Sequence, residues 1–298
     1  MKIGLMVPFS EDDEGAASWA ELRSLVQTAD EVGLDSVYAA DHLLFRGDGD
    51  GGTIGIHEAF TMLAGFAAVT KHVEIGPLVA AVPFRNPGLL AKMAAGIDEI
   101  SGGRFVLGLG CGWHEPEFTA FGYEFDHRVS QFEDGLRIVV DLLRTGRADL
   151  SGRWFSARDA VLRPPGPRPG AIPILIAGKR PRMLSLVARF ADRWNAAWYG
   201  RWEEADELRT RLANLHAALE AERRDPATLL LTVGLDVAFQ ALMPETPQEG
   251  VIAGTAGQVA EALRAYAAAG FSEVICHCEP GTPDGVAELG RAAALARG

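Results

Sequence analysis

Short apolar segments alternate with segments of helical periodicity, and this alternation limits the folds open to the chain more than any other feature. Eight such segments span residues 3–7, 36–40, 73–79, 105–109, 172–177, 194–198, 229–239 and 272–278. Their hydrophobicity is continuous, which is typical of strands covered on both faces in a parallel sheet. Each is followed by a helix candidate, and eight βα units in 298 residues predict a (β/α)8 TIM barrel. A doubly wound open sheet is the alternative.

The helix candidates carry apolar residues at spacings of three and four. One stripe contains Leu22, Val26 and Ala29 and stops before Gly33, a residue type that favours helix C-termini. Similar stripes cover residues 129–143, 184–191 and 259–267. The segments at 150–170 and 241–254 break the rhythm and are predicted as insertion loops, and with the loop at 44–56 they would shape the substrate pocket. None contains enough independent sequence for a second domain, so we expect a single domain over residues 1–298.

Composition excludes several classes of protein. Hydrophobic residues make up 48% of the chain and charged residues 23%, which is normal for a folded globular protein. Asp and Glu number 40 against 28 Lys and Arg, so the net charge is −12. Binding to nucleic acid or to an anionic membrane needs a basic face. We therefore expect neither partner, and a small-molecule substrate instead.

Cysteine usage and the N-terminus point to the cytoplasm. Cys111, Cys276 and Cys278 are too few and too clustered for a secreted disulfide framework. The first nine residues hold one positive charge and a short apolar run that stops at Pro8, which does not resemble a signal peptide. No uncharged apolar stretch approaches the length of a membrane-spanning helix. We expect a cytoplasmic enzyme.

Polar and glycine residues cluster after the predicted strands, where a TIM barrel carries its active site. The second strand leads into Asp41-His42, and the fourth into the segment 110–115, Gly-Cys-Gly-Trp-His-Glu. Gly178-Lys179-Arg180 follows the fifth strand, and Gly254-Thr255 follows the seventh. This agreement favours the barrel over the open sheet.

At these residues the chain resembles the bacterial luciferase-like monooxygenase superfamily, in its flavin- and deazaflavin (F420)-dependent branch. The similarity runs nearly end to end, through residues 35–42, 99–110, 112–118, 254–261 and 269–271. It implies a barrel, usually dimeric, that binds F420 or FMN at the mouth of the strands, with F420 preferred. It also implies transfer of a hydride between cofactor and substrate, or reaction of reduced flavin with oxygen. We accordingly expect a homodimer.

Three residues are candidates for catalysis. The resemblance places His42 beside the cofactor ring, and an imidazole titrates near neutrality, so His42 with Asp41 is the first candidate pair. Glu115 is a candidate acid or base, although His114 stands where much of the family has an asparagine. The alternative for Glu115 is a position in the first turn of a helix, where carboxylates are favoured.

Eight residues are candidates for cofactor binding. Lys179 and Arg180 open a helix whose free N–H groups attract a phosphate, and Thr255 opens another in the same way. The alternative for both loops is simple helix capping. The resemblance places Ala80 and Ala81 at a bulge under the cofactor ring, often with a non-prolyl cis peptide bond. Gly178 belongs to the same predicted phosphate loop as Lys179 and Arg180. The remaining candidates are Gly110 and Gly112, which permit close approach of a flat ring or close packing.

Two functions of other classes stay open. One is a metal-dependent barrel hydrolase, with ligands from Asp41, His42, His114, Glu115, His127 and His277. It lacks tight ligand spacing, and strand alternation separates His277 from its flanking cysteines, so no metal is assigned. Buried thiols that pack as small hydrophobes are the simpler interpretation of Cys276 and Cys278. The other function is a flavin-binding barrel without turnover.

Overall fold

The computed structural model describes residues 1–11, 15–46, 52–243 and 248–298. Its strands within these ranges are β1 (Lys2–Met6), β2 (Ser36–Ala39), β3 (Phe45–Arg46), β4 (Thr53–Ile54), β5 (Glu74–Pro77), β6 (Ala80–Ala81), β7 (Leu107–Gly110), β8 (Arg147–Ser151), β9 (Ser156–Val161), β10 (Ile174–Ala177), β11 (Arg193–Tyr199), β12 (Leu230–Phe239), β13 (Ile252–Gly254) and β14 (Glu273–Glu279). All eight predicted strands are confirmed.

The helices of the described residues connect these strands or, in the case of the last helix, follow the final strand. They are α1 (Trp19–Glu31), α2 (Ala59–Val69), α3 (Pro87–Ser101), α4 (Glu115–Phe121), α5 (Arg128–Thr145), α6 (Pro181–Phe190), α7 (Asp206–Ala221), α8 (Ala256–Ala268) and α9 (Pro283–Arg297). Gly33 follows the end of α1 with φ +78°, a backbone conformation that a glycine adopts without strain. None of these described helices is long and apolar enough to cross a membrane.

The strands form a parallel barrel. Their order in the sheet is β5-β2-β1-β14-β12-β11-β10-β7-β6, with β13 beside β12. The circle closes where β5 meets the chain before β7, because Ile75 N donates to the Arg104 carbonyl and Val106 N donates to the Ile75 carbonyl. β5 and β6 are two parts of one barrel strand, separated by a non-prolyl cis peptide bond between Leu78 and Val79. The TIM barrel, rather than the open sheet, is the fold.

Side chains alternate between the two faces of the barrel wall. Val37 and Cys276 belong to the large core between the strands and the surrounding helices. Met6, Tyr38 and Ile275 form a separate buried cluster, and Met6 stands in register with Tyr38 on β2 and with His277 on β14. This second cluster therefore lies inside the barrel.

A charged network fills the barrel interior at the N-terminal ends of the strands. Arg193 donates through both Nη atoms to Glu74 at 2.9 Å and through Nη1 to Glu273 at 3.2 Å. Glu273 also accepts from the hydroxyls of Ser36 and Tyr38. Burial raises the pKa of the Glu273 carboxyl and, with the nearby carboxylates, that of the Tyr38 hydroxyl. Interactions at this end of a TIM barrel serve stability rather than catalysis.

Parts of the predicted loops are regular structure. β8 and β9 form an antiparallel hairpin, so the loop predicted over residues 150–170 is only partly irregular. β3 and β4 pair in antiparallel orientation within residues 44–56. Residues 47–51 of that segment, and residues 244–247 of the segment 241–254, lie outside the described residues.

Candidate functional site

His42 and Glu117 form a hydrogen-bonded pair at the C-terminal mouth of the barrel. His42 lies just beyond the end of β2, and its Nδ1 is 2.9 Å from Glu117 Oε1. The other carboxylate oxygen of Glu117 accepts from the backbone N–H of Leu43 at 2.8 Å. The Glu117 side chain is 1% exposed and that of His42 is 13% exposed. Because a carboxylate only accepts hydrogen bonds, the pair places a proton on Nδ1 and leaves Nε2 as the ring nitrogen that can contact a bound molecule.

Aromatic rings surround this imidazole. The ring centroid of Phe45 is 4.2 Å from that of His42, and the Trp113 centroid is 5.6 Å away in an edge-on arrangement. Trp113 is 65% exposed, which is unusual for so large an apolar side chain. The neighbouring His114 accepts a hydrogen bond through Nε2 from the backbone N–H of Arg46. The His42 imidazole is therefore bordered by two large aromatic side chains, Phe45 and Trp113.

Asp41 is engaged in a buried ion pair. Arg85 donates to both of its carboxylate oxygens, at 2.6 and 2.7 Å, and the backbone N–H of Ala81 donates at 2.9 Å. Arg85 also binds Glu58 and lies over the ring of Phe60. Asp41 is thus held by a cation and an amide, and it connects the end of β2 to β6.

The predicted small residues of the barrel mouth are packed closely. Ala80 and Ala81 are buried on β6. A Cβ on Gly110 would lie 2.7 Å from the Val79 side chain. Gly112 has φ +75°, and a Cβ there would lie 2.5 Å from the ring of Phe118. The two glycines therefore allow β7 and the chain after it to pass close to their neighbours.

The two predicted phosphate loops differ in how their polar groups are engaged. Lys179 and Arg180 are exposed at the N-terminus of α6. The preceding Gly178 packs against Met183, and its carbonyl accepts from the indole N–H of Trp194. Thr255 instead forms a capping box with Gln258 at the start of α8. Thr255 therefore caps its helix, as the alternative interpretation has it. The side chains of Lys179 and Arg180 are instead exposed to solvent.

Two residues of the site, Glu117 and Arg85, were not among the sequence candidates. Glu115 is exposed at the start of α4, whereas Glu117 is buried against His42. The adjacent buried Phe118 is the signal that could have identified the inward face of this first turn. Arg85 lies 44 residues from Asp41 in the chain, and no local pattern connects the two.

The Cys276-His277-Cys278 segment follows the predicted alternation. Both cysteines are buried in the outer core, and His277 points to the inner face, where its Nδ1 is 3.2 Å from Asp236 Oδ1. The hydrogen bond from His277 to Asp236 raises the pKa of His277 above its ordinary value, against the effect of burial. Within the described residues, no three His, Cys, Asp or Glu side chains are grouped as a metal site requires.

Comparison with known proteins decides the family. The sequence model of the luciferase-like monooxygenases matches residues 1–241. The chain belongs to the luciferase-like monooxygenase family. Pyrimidine monooxygenase RutA of Allorhizobium ampelinum is 32% identical over 217 residues, which cover 70% of this chain and 58% of that protein. RutA of Escherichia coli is 30% identical over 261 residues, covering 83% of this chain and 65% of that protein. The chain thus spans about three fifths of the length of these relatives.

Solved structures of low sequence identity share the fold of this family member. The F420-dependent tetrahydromethanopterin reductase from Methanopyrus kandleri has a TM-score of 0.78 at 14% identity, covering 97% of this chain and 98% of that one. Monooxygenase RslO1 from Streptomyces bottropensis has a TM-score of 0.79 at 20% identity, covering 99% and 98%. A riboflavin lyase, RcaE, solved with modified FMN, has a TM-score of 0.77 at 15% identity, covering 99% and 92%.

Proposed function

We propose that this protein is a flavin-dependent oxidoreductase, a monooxygenase that acts on a small, flat nitrogen heterocycle. The observation that carries the proposal is the His42–Glu117 pair at the barrel mouth, in a chain that belongs to the luciferase-like monooxygenases. A histidine ordered by a buried carboxylate presents one nitrogen in a defined direction, as proton transfer or hydrogen bonding to a reacting group requires.

The side chains at the mouth fit a flavin. A flavin has a flat ring with hydrogen-bonding atoms and an anionic phosphate tail. His42 supplies the free nitrogen and Trp113 an exposed aromatic surface. Lys179 and Arg180 supply two exposed cations beside the N-terminus of α6. When bound, the flavin supplies the electrons that activate oxygen, and the residues around it orient the reactants and exclude water.

FMN is the cofactor that we propose, with F420 as the alternative. The family resemblance of the segments around His42 and His114 favours F420, and F420-dependent proteins are among the structural neighbours. That F420-dependent reductase is only 14% identical and shows the fold alone. The relatives at 30–32% identity are named monooxygenases, and oxygen activation is flavin chemistry. Their name also supplies the substrate class proposed here, a pyrimidine.

Asp41 has a positioning role in this proposal. Its oxygens are occupied by Arg85 and by the Ala81 amide, so it holds β6 in place beneath the site. Proton transfer is assigned to His42, with Glu117 as its orienting partner. Glu115, exposed on α4, is left without a role in the reaction.

Titration with FMN and with F420, followed by quenching of their fluorescence, tests the cofactor assignment. We expect saturable FMN quenching, and uracil-dependent oxygen consumption when reduced FMN is supplied. Absence of quenching with both cofactors at tens of micromolar, a level that matches ordinary cofactor affinities, would overturn the proposal. Binding of F420 alone would transfer the assignment to the alternative cofactor.

The Lys179→Ala/Arg180→Ala variant tests the phosphate site. Removing each charge-assisted hydrogen bond to the phosphate should weaken binding by about 1.5–3 kcal/mol, which is roughly tenfold or more in Kd for FMN. Riboflavin, which lacks the phosphate, should bind the variant and the original protein equally. Unchanged thermal stability without cofactor is expected, because both side chains are exposed. Unaltered FMN affinity would assign the phosphate to another loop, with Gly254-Thr255 as the next candidate.

The homodimer implied by the family resemblance remains a prediction. Static light scattering should give twice the 31.9 kDa mass of one chain. A mass of one chain at working concentration would contradict it.

A further inference from the structure

A second histidine–carboxylate pair lies in a cleft on the other side of β1 from His42. The cleft, of ≈ 380 Å³, lies at the C-terminal ends of β11, β12 and β14, and Trp198, Asp236, Glu249, His277 and Glu279 are among its lining residues. His277 stands in register with Asp236 on β12 and with Met6 on β1. It is therefore inside the barrel, deeper than His42, which lies beyond the end of β2.

The imidazole of His277 is oriented for a ligand. Its Nδ1 is bound to Asp236, while its Nε2 has no hydrogen-bond partner among the described residues. The side chain is 38% exposed, so the cleft gives access to it. A histidine whose first nitrogen is fixed by a carboxylate presents the second one to a bound molecule in a single direction.

An indole forms the wall beside this histidine. Trp198 is 40% exposed, and its ring centroid is 6.4 Å from that of His277. Gly234 on β12 makes room for the ring, because a Cβ at that position would lie 2.5 Å from the indole. A flat ligand that stacks on Trp198 would have its edge within reach of His277.

The charge of the cleft restricts what binds there. Three carboxylates line it, from Asp236, Glu249 and Glu279, and none of its lining residues in the described part of the chain is Lys or Arg. When His277 is protonated, it offsets one of these three charges, so the cleft still repels an anion at short range. The cleft is therefore unsuited to the cofactor phosphate, whose candidate cations lie at the start of α6.

We propose that this cleft is the substrate subsite: it takes a flat, uncharged or cationic nitrogen heterocycle that stacks on Trp198 and hydrogen bonds to His277, and it rejects anionic analogues. The proposal rests on the proposed function for the reaction that follows binding. The cleft would then select ligands by their charge, and we call this selection the charge filter. It acts in addition to the reacting site at His42.

Uracil and orotate, its carboxylated analogue, are matched probes for the charge filter. In the FMN-loaded protein, calorimetry should show uracil binding at least about tenfold more tightly than orotate. Glu249→Gln/Glu279→Gln should bring the two affinities closer while that of uracil is unchanged. Equal affinity for the two ligands would overturn the proposal.

His277→Gln should weaken uracil binding by about tenfold, and so should Trp198→Ala. His216→Gln, at an exposed position on α7, is the control and should bind uracil normally. Uracil that binds His277→Gln as tightly as the original protein would contradict the proposal.

Imidazole NMR separates direct ligand binding from mere structural support. The signal that His277→Gln removes should titrate at a raised pH, because Asp236 on β12 and Glu279 on β14 raise the pKa of His277. Glu249, in the loop before β13, lines the same cleft. Asp236→Asn should lower that pH, and uracil should shift the signal. If uracil does not shift the His277 signal although FMN fluorescence is still quenched, the subsite proposal is refuted and the proposed function is not. Loss of FMN binding with the uracil shift intact would refute only the proposed function.

Discussion

The His42→Ala variant should lose about 10²–10⁴-fold in kcat while retaining its affinity for FMN within a few-fold. His42 presents its free nitrogen at the barrel mouth, and its buried partner Glu117 fixes that direction. Removing the imidazole deletes the group that moves or holds the proton and leaves the Glu117 carboxylate buried. Uracil-dependent oxygen consumption with reduced FMN measures the loss, and FMN fluorescence quenching measures the retained binding.

Two further variants test whether the loss of kcat comes from the His42 imidazole. Glu117→Gln keeps an acceptor for the Leu43 amide but weakens the orientation of His42, so its kcat should fall by less than that of His42→Ala. His114→Gln is the matched control, because His114 lies 6.5 Å from His42 between ring centroids and its imidazole hydrogen bonds to the backbone of Arg46 rather than to His42. Equal turnover by His42→Ala and the original protein would contradict the assignment of proton transfer to His42, and absence of turnover in both would favour the flavin-binding barrel.

The barrel strands were predictable because strands that are buried on both faces have continuous apolar sequences. Residues 272–278, for example, are apolar apart from Ser272, Glu273 and His277, and β14 occupies nearly the same span. The strands of the β8–β9 hairpin have no such apolar segment. Its strands are largely exposed and hold Arg147, Asp149, Arg158 and Asp159, so the segment has the composition of a loop.

The place of single residues at the barrel mouth could be predicted, whereas pairs of distant residues could not. His42 was chosen because it follows a strand and because the family resemblance places a histidine there. Its hydrogen-bond partner is Glu117, whereas Asp41, with which it was paired in the prediction, binds Arg85. The candidate Glu115 lies exposed in the same first turn of α4 as Glu117. Asp236 and His277 are joined by the register between β12 and β14, 41 residues apart, which a linear pattern does not contain.

The Arg193→Met variant should lose about 3–5 kcal/mol of unfolding free energy, the expected cost of removing one partner from a buried ion pair. Arg193 is 5% exposed and lies between Glu74 and Glu273. Burial alone would lower the pKa of the guanidinium, but the two carboxylates raise it, so the charge is held in the interior. Without it, the carboxylate of Glu273, 2% exposed, would lose the cation that binds it, and Lys2, the other cation that acts on it, is bound to Glu74. Urea denaturation measures the change.

A surface pair provides the control for this loss. Arg182 binds Glu133 at 2.8 Å, but the Arg182 side chain is 53% exposed. Arg182→Ala should therefore cost no more than about 1 kcal/mol. Because the Arg193 network lies at the end of the barrel opposite His42, molecules of Arg193→Met that remain folded should bind FMN normally. A loss as small as that of Arg182→Ala would show that the network contributes little.

The pH dependence of the loss identifies the orphaned carboxylates as its cause. Burial already raises the pKa of Glu273 above its ordinary value, and the charge of Arg193 opposes that rise. Removing Arg193 raises the folded-state pKa further. A carboxyl with a raised folded-state pKa destabilises the fold fully above that pKa, and the penalty disappears as pH falls towards the unfolded value. The deficit of Arg193→Met should therefore be smaller at pH 5 than at pH 8.

The double variant Arg193→Met/Glu273→Gln should recover part of the loss at pH 8, because the amide still bonds to Ser36 and Tyr38 without an unpaired charge. A deficit independent of pH and of Glu273 would instead assign the loss to packing of the arginine stem.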